Sequence, residues 1–458
     1  MSYESKRNLF CRSSQAALCT SLFLVSTAVF PSFVYGGDEF SFDMDEIEKK
    51  PYTVGGYIEL RGEHMDINQD SVFTNLNLAD PDMSTMDLFY GSIQLDGSYE
   101  YGISSVNVQL KAAAQQDTIG WSDLTLINSA YVSLQPTPSA TFSLGKKSYK
   151  WGKGYAWNPV GFVNRRKDPN NPEDALEGYV TLESDFIKSW QGTLQTAALT
   201  VAVLPVWDDI NEDFGEADNV NLVAKLYLLY MDTDIDLMFL TGDSRSDRIG
   251  VDFSTNLAPH FEIHGEAAYI PSLQKVVLEE DNSSSIEENA AFTSLLGIRY
   301  LSENDITSIV EYYYNGGGYS EDEMTRFYHL ADAGFSEDPQ LGSSLLDRAR
   351  EMSLKGYGQP QPGRHYLYTK FSQKEPFDLL YFSPGITVLV NLEDQSYSIT
   401  PEAVYTGFTN WEFRLKFSLI DGEEYTEYGE KVNSNKLELR ARYFFLTSPL
   451  DPVFESPL

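Results

Sequence analysis

Residue types able to carry chemistry are few in this sequence and gathered in two places. Of the five histidines, His64, His260, His264, His329 and His365, only His264 has acids at ligand-like spacing, in Glu262-x-His264-x-Glu266. On a strand those three side chains share one face. They offer either a weak metal site or, more simply, a hydrogen-bonded cluster. No Gly-x-Ser-x-Gly elbow, His-Glu-x-x-His pair or phosphate-binding loop occurs. A hydrolase working at a membrane-facing wall would have only His365 to draw on. The chain is read as a non-enzyme without a cofactor.

The second concentration is cationic. From Lys146 to Lys167 there are seven bases and no acid: Lys146, Lys147, Lys150, Lys153, Arg165, Arg166 and Lys167. Tyr149, Trp151, Tyr155 and Trp157 are interleaved with them. Continuing a strand alternation from Thr141 and Ser143 turns Lys147, Tyr149, Trp151 and Lys153 to one side. Gly152 and Gly154, then Trp157-Asn158-Pro159-Val160-Gly161 and Asp168-Pro169-Asn170-Asn171-Pro172, make a stiff connection. Rings of Lys and Arg select anions, and aromatic faces beside them suit sugar rings. Such a loop is expected to fold into a lumen as a constriction. The alternative is that the aromatics are interfacial and the bases pair with acidic neighbours.

What must position these groups is legible in the patterning. The chain has 458 residues, with 68 Asp and Glu against 33 Lys and Arg, a formal charge of −35. That excludes a general nucleic-acid binder, which needs a surplus of bases. The 29 Tyr and 27 Phe exclude a disordered polyanion. Segments of roughly ten residues alternate apolar and polar, as in Trp411-Glu412-Phe413-Arg414-Leu415-Lys416-Phe417-Ser418-Leu419 and Lys436-Leu437-Glu438-Leu439-Arg440-Ala441-Arg442-Tyr443. About eighteen such strands are counted (16–20). A soluble sandwich also alternates, so the connections decide. Tight ones (99–102, 136–138, 232–233, 257–259, 302–304, 375–378, 407–409) take turns with mostly long ones (65–85, 153–175, 205–218, 271–291, 316–363, 421–434). Outer-membrane barrels sort their loops in this way. The fold class is all-β: a transmembrane antiparallel up-and-down barrel with long extracellular loops and short periplasmic turns.

In that barrel apolar residues face lipid and charges face the lumen, which places Arg299, Arg414, Lys416, Arg440 and Arg442 beside the basic segment as pore-lining residues. Cross-strand ion pairs with inward acids such as Glu59, Glu262, Glu311, Glu402, Glu412 and Glu438 account for much of the set. The acidic external loops are read as solvated surface, with calcium bridging the sharper alternative. In loop 316–363, Ser320 and Glu323 have capping-box spacing, and Leu341 to Leu354 has helical spacing. Two short helices either lid the mouth or pack the loop on itself.

Residues 1–36 read as a secretory signal, with Lys6, Arg7 and Arg12 before an apolar run from Ala16 to about Phe30. Both cysteines, Cys11 and Cys19, lie within it, so disulfides and cysteine metal sites are not expected beyond it. The division is then 1–36 signal, 37–51 acidic periplasmic segment, 52–446 barrel and 447–458 periplasmic tail. Tyr443-Phe444-Phe445 closes the last strand where barrel-assembly machinery reads its signal.

This build resembles Gram-negative outer-membrane porins, most nearly the alginate-export class of eighteen-strand barrels, with Lys146–Trp157 as the matching lumen segment. The acidic loops depart from that class. The resemblance implies export through the Sec pathway to the outer membrane and contact with outer-membrane lipid and lipopolysaccharide. It also implies passage of small polar or anionic solutes, saccharides among them, and a homotrimer as one available assembly. A non-conducting structural or adhesin barrel, or the sheath of a cytochrome conduit, are the other readings.

Overall fold

The computed structural model describes residues 51–78, 83–117, 120–174, 176–335 and 339–446. The signal, the tail and all but the last residue of the acidic segment lie outside these. Eighteen strands form one sheet. They are β1 (Tyr52–Ile67), β2 (Thr85–Tyr101), β3 (Ser104–Gln116), β4 (Trp121–Thr137), β5 (Ala140–Lys147) and β6 (Tyr179–Ser189). Next come β7 (Leu194–Val206), β8 (Asn219–Tyr230), β9 (Thr233–Thr241), β10 (Arg248–Ala258), β11 (Phe261–Leu278) and β12 (Ser284–Leu301). The last are β13 (Ile306–Tyr314), β14 (His365–Gln373), β15 (Phe382–Asn391), β16 (Tyr397–Tyr405), β17 (Trp411–Asp421) and β18 (Asn433–Leu446). Each pairs antiparallel with its sequence neighbours, and β1 also pairs with β18, from Gly55 opposite Leu446 to Met65 opposite Lys436. The sheet is a closed barrel with no free edge.

Its polarity is the reverse of a soluble protein's. On β17 Leu415 is 43% exposed while its neighbour Lys416 is 4% exposed; on β18 Leu439 is 58% exposed and Arg440 5%. The outer face is a continuous apolar wall that only hydrocarbon can solvate, and the charges are folded inward. Aromatic residues mark both rims, with Tyr101, Trp190 and Trp411 at the short-turn end and Phe89, Trp121 and Trp207 at the other. No described helix is long and apolar enough to cross a membrane; the strands do the crossing.

Among the described residues three α-helices sit in the long loops: α1 (Val72–Asn77), α2 (Glu321–Ala333) and α3 (Pro339–Met352). The capping box at α2 is formed, with the Ser320 hydroxyl accepting from the Glu323 N–H and the Glu323 carboxylate accepting from the Ser320 N–H. α1 lies within the expected loop 65–85. Two further differences have physical causes. Strand β5 stops at Lys147 rather than near 152, because Tyr149 and Trp151 leave the sheet for an apolar cluster with Tyr179, Phe214, Met238 and Leu240. Burying each aromatic contributes roughly 1.5–3 kcal/mol. The expected loop 271–291 is mostly ladder, since β11 and β12 continue to a tip at 279–283, with Lys275 opposite Glu287.

Candidate functional site

The connection between β5 and β6, residues 148–178, lies inside the barrel and crosses it from wall to wall. Its first half is fastened by two buried lumen carboxylates. Glu266, on β11, accepts from the backbone N–H of Lys153 at 2.6 Å, of Gly154 at 2.7 Å and of Val160 at 3.2 Å, and from the Asn158 side chain at 2.9 Å. Glu311, on β13, accepts from the N–H of Tyr155 at 2.6 Å and Ala156 at 2.8 Å. Backbone donors converging on one carboxylate need a tight path, and Gly152 supplies it with φ +101; a Cβ there would stand 2.6 Å from Glu266 Oε1. Trp157 then stacks on Tyr313 at 4.9 Å and packs with Tyr366 and Tyr368.

The second half reaches the far wall with the opposite charge. Lys416 donates to the Asn170 carbonyl at 2.8 Å and to Asn171 Oδ1 at 2.5 Å. Glu173 lies 3.5 Å from Arg414, and Asp174 lies 3.8 Å from Arg442 and 4.0 Å from Arg440. The chain returns through Glu177, which pairs with Lys146 and Arg165. This strap is basic where the wall is acidic and acidic where the wall is basic.

Between the strap and the long loop 315–364 is a cavity of about 470 Å³. Seven bases line it and, among the described residues, no carboxylate does. Three of them are neutralised from behind: Arg165 by Asp213, Lys275 by Glu323 at 2.8 Å and Lys355 by Glu351 at 2.6 Å. The other four, Arg166, Lys167, Arg245 and Arg248, have no carboxylate partner among the described residues. Arg166 donates to Gln359 Oε1 and the Gln361 carbonyl, both at 3.4 Å. Lys167 donates to the carbonyls of Gly154 and Tyr155. Burial lowers the Lys167 pKa below the usual ammonium value, although Glu266 and Glu311 oppose this. Burial likewise lowers Arg245, whose Nε donates to the Phe214 carbonyl. The Nε of Arg248 is buried without a hydrogen-bond partner. Trp157, Tyr313 and Tyr319 add aromatic surface.

The residues singled out from the sequence are divided by the structure. Arg165 and Arg166 line the cavity. Lys147 pairs with Glu183 at 2.5 Å, and Lys153 with Asp236 at 3.0 Å. Tyr149 and Trp151 are buried in the apolar cluster, with the Tyr149 hydroxyl 2.8 Å from that of Thr181. Arg299 approaches Glu262 at 4.0 Å and is not among the residues lining the cavity. Arg414, Lys416, Arg440 and Arg442 stand under the strap's acidic half. His264 is hydrogen-bonded to Glu311 through Nε2 at 2.9 Å, its Nδ1 lies 3.3 Å from Glu262, and Glu266 holds the strap. No described set of three or more His, Cys, Asp or Glu is arranged for a metal. Sequence reasoning missed Arg245 and Arg248. Their one signal is two bases three residues apart, Arg245 in the short loop 242–247 and Arg248 at the start of β10.

Above the cavity the mouth carries a helical cap. Phe327, Tyr328, Tyr357 and Met352 are fully buried against Val72, Leu76 and Leu278, and Tyr319 stacks on Tyr357 at 3.9 Å. Glu430, from the β17–β18 loop, accepts from the Val72 N–H at 2.6 Å and so holds the start of α1. The helices expected in loop 316–363 either to lid the mouth or to pack the loop on itself thus form a packed unit that joins several loops.

No family model and no curated protein matches this chain. Solved structures do. Wzi, an outer-membrane protein involved in group 1 capsule assembly in Escherichia coli and described as a carbohydrate-binding β-barrel, is similar with a TM-score of 0.50 at 10% identity, over 86% of this chain and 84% of that one. OccK2 (OpdF) of Pseudomonas aeruginosa gives 0.49 at 9% identity over 87% and 98% of the two chains. OccAB3 of Acinetobacter baumannii gives 0.47 at 9% over 86% and 99%. At such identities the likeness is one of fold, and the fold is that of the Gram-negative outer-membrane β-barrel.

Proposed function

We propose that this protein is an outer-membrane channel that takes up small anionic or polar solutes, acidic saccharides among them, through the basic cavity beneath its cap. The observation that carries this reading is the cavity's lining. A chain of net charge −35 sets Arg166, Lys167, Arg245 and Arg248 around one space without a facing carboxylate. Uncompensated cations in a low-dielectric enclosure concentrate anions. Trp157, Tyr313 and Tyr319 offer the flat apolar faces that a pyranose ring stacks on. The test is reconstitution in planar bilayers. Discrete conductance steps with anion preference are expected, and Arg245→Glu with Arg248→Glu should reverse that preference. Steps with the same anion-to-cation ratio in both proteins would remove the cavity from the reading.

A second reading has its own support, because the strap spans the lumen from wall to wall. On this reading the barrel binds carbohydrate at its mouth without conducting; Wzi is itself described as a carbohydrate-binding β-barrel. Saccharide binding with no conductance steps would favour it.

A further inference from the structure

A second cavity, of about 270 Å³, lies between the wall of β16, β17 and β18 and the strap's tip at 170–174, where Asn170 and Asn171 line it. Its electrostatics differ in kind from those of the basic cavity. Three bases line it, Lys416, Lys431 and Lys436, and three acids, Glu63, Asp168 and Glu438. Each base has a carboxylate close by: Lys416 lies 4.0 Å from Glu402, Lys431 3.8 Å from Glu427, and Lys436 3.5 Å from Glu438 and 3.6 Å from Glu63. The lining therefore sums to no net charge, and it concentrates neither anions nor cations.

What the cavity leaves unmet is hydrogen bonding. Glu438 Oε1 and Gln361 Oε1 are both buried without a hydrogen-bond partner, in residues that are 1% and 8% exposed. Such acceptors are costly to leave bare. Both require donors, which an inorganic anion or a dicarboxylate does not bring. Lys436 beside them requires an acceptor. The wall between is hydroxyl-bearing, with Thr400 and Ser418 joined at 2.9 Å, and Leu389 and Tyr428 add apolar surface. Groups that donate and accept at one atom are hydroxyls, and a small uncharged frame that carries several of them beside an apolar face is a sugar. We propose that this cavity binds one uncharged sugar ring, as a site separate from the basic cavity. Its volume of about 270 Å³ is below the roughly 300–1,000 Å³ of sites for drug-sized ligands, which suits a single ring. The proposal requires neither conduction nor anion binding.

Isothermal titration of the purified full-length barrel with glucose, galactose and mannose tests this, in an amine-oxide detergent so that no sugar head group competes. At least one hexose is expected to bind at a single saturable site. Its affinity should be the same at low and high salt, because a charge-balanced lining leaves no net attraction to screen. Glu438→Gln, which turns one acceptor oxygen into a donor, and Gln361→Leu should each weaken binding about 10-fold, the scale of one hydrogen bond. Gln361→Leu touches no charge and removes an acceptor that is bare in the empty protein, so the melting temperature without sugar should not fall. That variant keeps the test open should Glu438→Gln fail to fold. Asp208→Asn removes one charge from another loop and should change nothing. No saturable binding of any of the three hexoses, or undiminished affinity in both cavity variants, would overturn the proposal. So would binding of serine in place of the hexoses, since its ammonium and carboxylate would answer Glu438 and Lys436 as a zwitterion. If a hexose binds as expected while the protein shows no conductance steps in bilayers, the channel reading fails and this site stands.

Discussion

The cap and the strap both obstruct the same barrel, and they are held by opposite means. The cap is an apolar core in miniature, with Phe327, Tyr328 and Tyr357 fully buried among Val72, Leu76 and Met352. The strap runs through a charged lumen. Besides two apolar clusters that take Tyr149, Trp151, Trp157, Val160, Phe162 and Val163, its attachments include hydrogen bonds to Glu266 and Glu311 and ion pairs to β9, β17 and β18. Hydrophobic attachment answers to packing volume and is not weakened by charge screening. Polar attachment is directional where it is buried and screened where it is wet. The lesson is that two obstructions stacked along one axis can be released by different stimuli.

Removing the Glu266 carboxylate should produce the largest effect. In Glu266→Ala the N–H groups of Lys153, Gly154 and Val160 lose their acceptor, which costs the docked strap roughly 3–5 kcal/mol. Limited proteolysis of the folded barrel should then cut within 153–160 while the cap stays protected; an uncut strap would place the anchor elsewhere. Phe327→Ala acts on the other partner. It should cost the cap about 3 kcal/mol, seen as faster hydrogen exchange in α2 and α3, with the strap's exchange and the barrel's melting temperature unchanged. A change in the strap would mean that the two are coupled.

Salt separates the strap's halves. Raising ionic strength from about 0.1 M to 1 M shortens the screening length from ~10 to ~3 Å. Exchange should speed up at 170–174, whose side chains are half exposed, and stay constant at 153–160 and in the cap. Equal protection at both salts would deny that the tip is held by charge. The smallest effect concerns Glu323 in the cap. Burial tends to raise its pKa, but the hydrogen bonds from Lys275 and the Ser320 N–H, with the Lys275 and Arg364 charges, outweigh burial and hold it below the ordinary glutamate value. Being depressed in the folded state, it contributes stability that is present above that ordinary value and lost as pH falls through its own. Protection of the first turn of α2 should therefore decline only below about pH 4, by less than about 1 kcal/mol. A decline beginning near neutrality would point to another group.

Much of the barrel was legible because a strand's face depends only on its immediate neighbours in sequence. Leu415 and Lys416, adjacent in the chain, differ in burial just as their alternation implies. Ser320 and Glu323 announced α2 because a capping box is complete within four residues. The failures are non-local. Glu266 lies 106–113 residues from the strap atoms it holds, so nothing near either segment announced the pair. The end of β5 was misplaced because Tyr149 and Trp151 are drawn out of the sheet by residues of β6 to β9 and their loops. The cavity's lining needed Arg245 and Arg248 to be brought beside Arg166 and Lys167 by the barrel's curvature, which no spacing in the sequence encodes.

The pairing of β1 with β18 has a consequence for how the molecule comes into being. The residues that seal the cylinder stand at opposite ends of the chain: Glu59 faces Arg442, and Arg442 Nη2 lies 2.5 Å from the Glu59 carboxylate. Until the last strand arrives there is no inside, and Arg440, Glu438 and Glu59 have no shared lumen in which to meet. Contacts so distant in sequence are slow to form, so the chain spends the interval as a polypeptide with unpaired edges. The heavy acidic excess gives that interval its safeguard, because mutual repulsion keeps the unassembled copies apart.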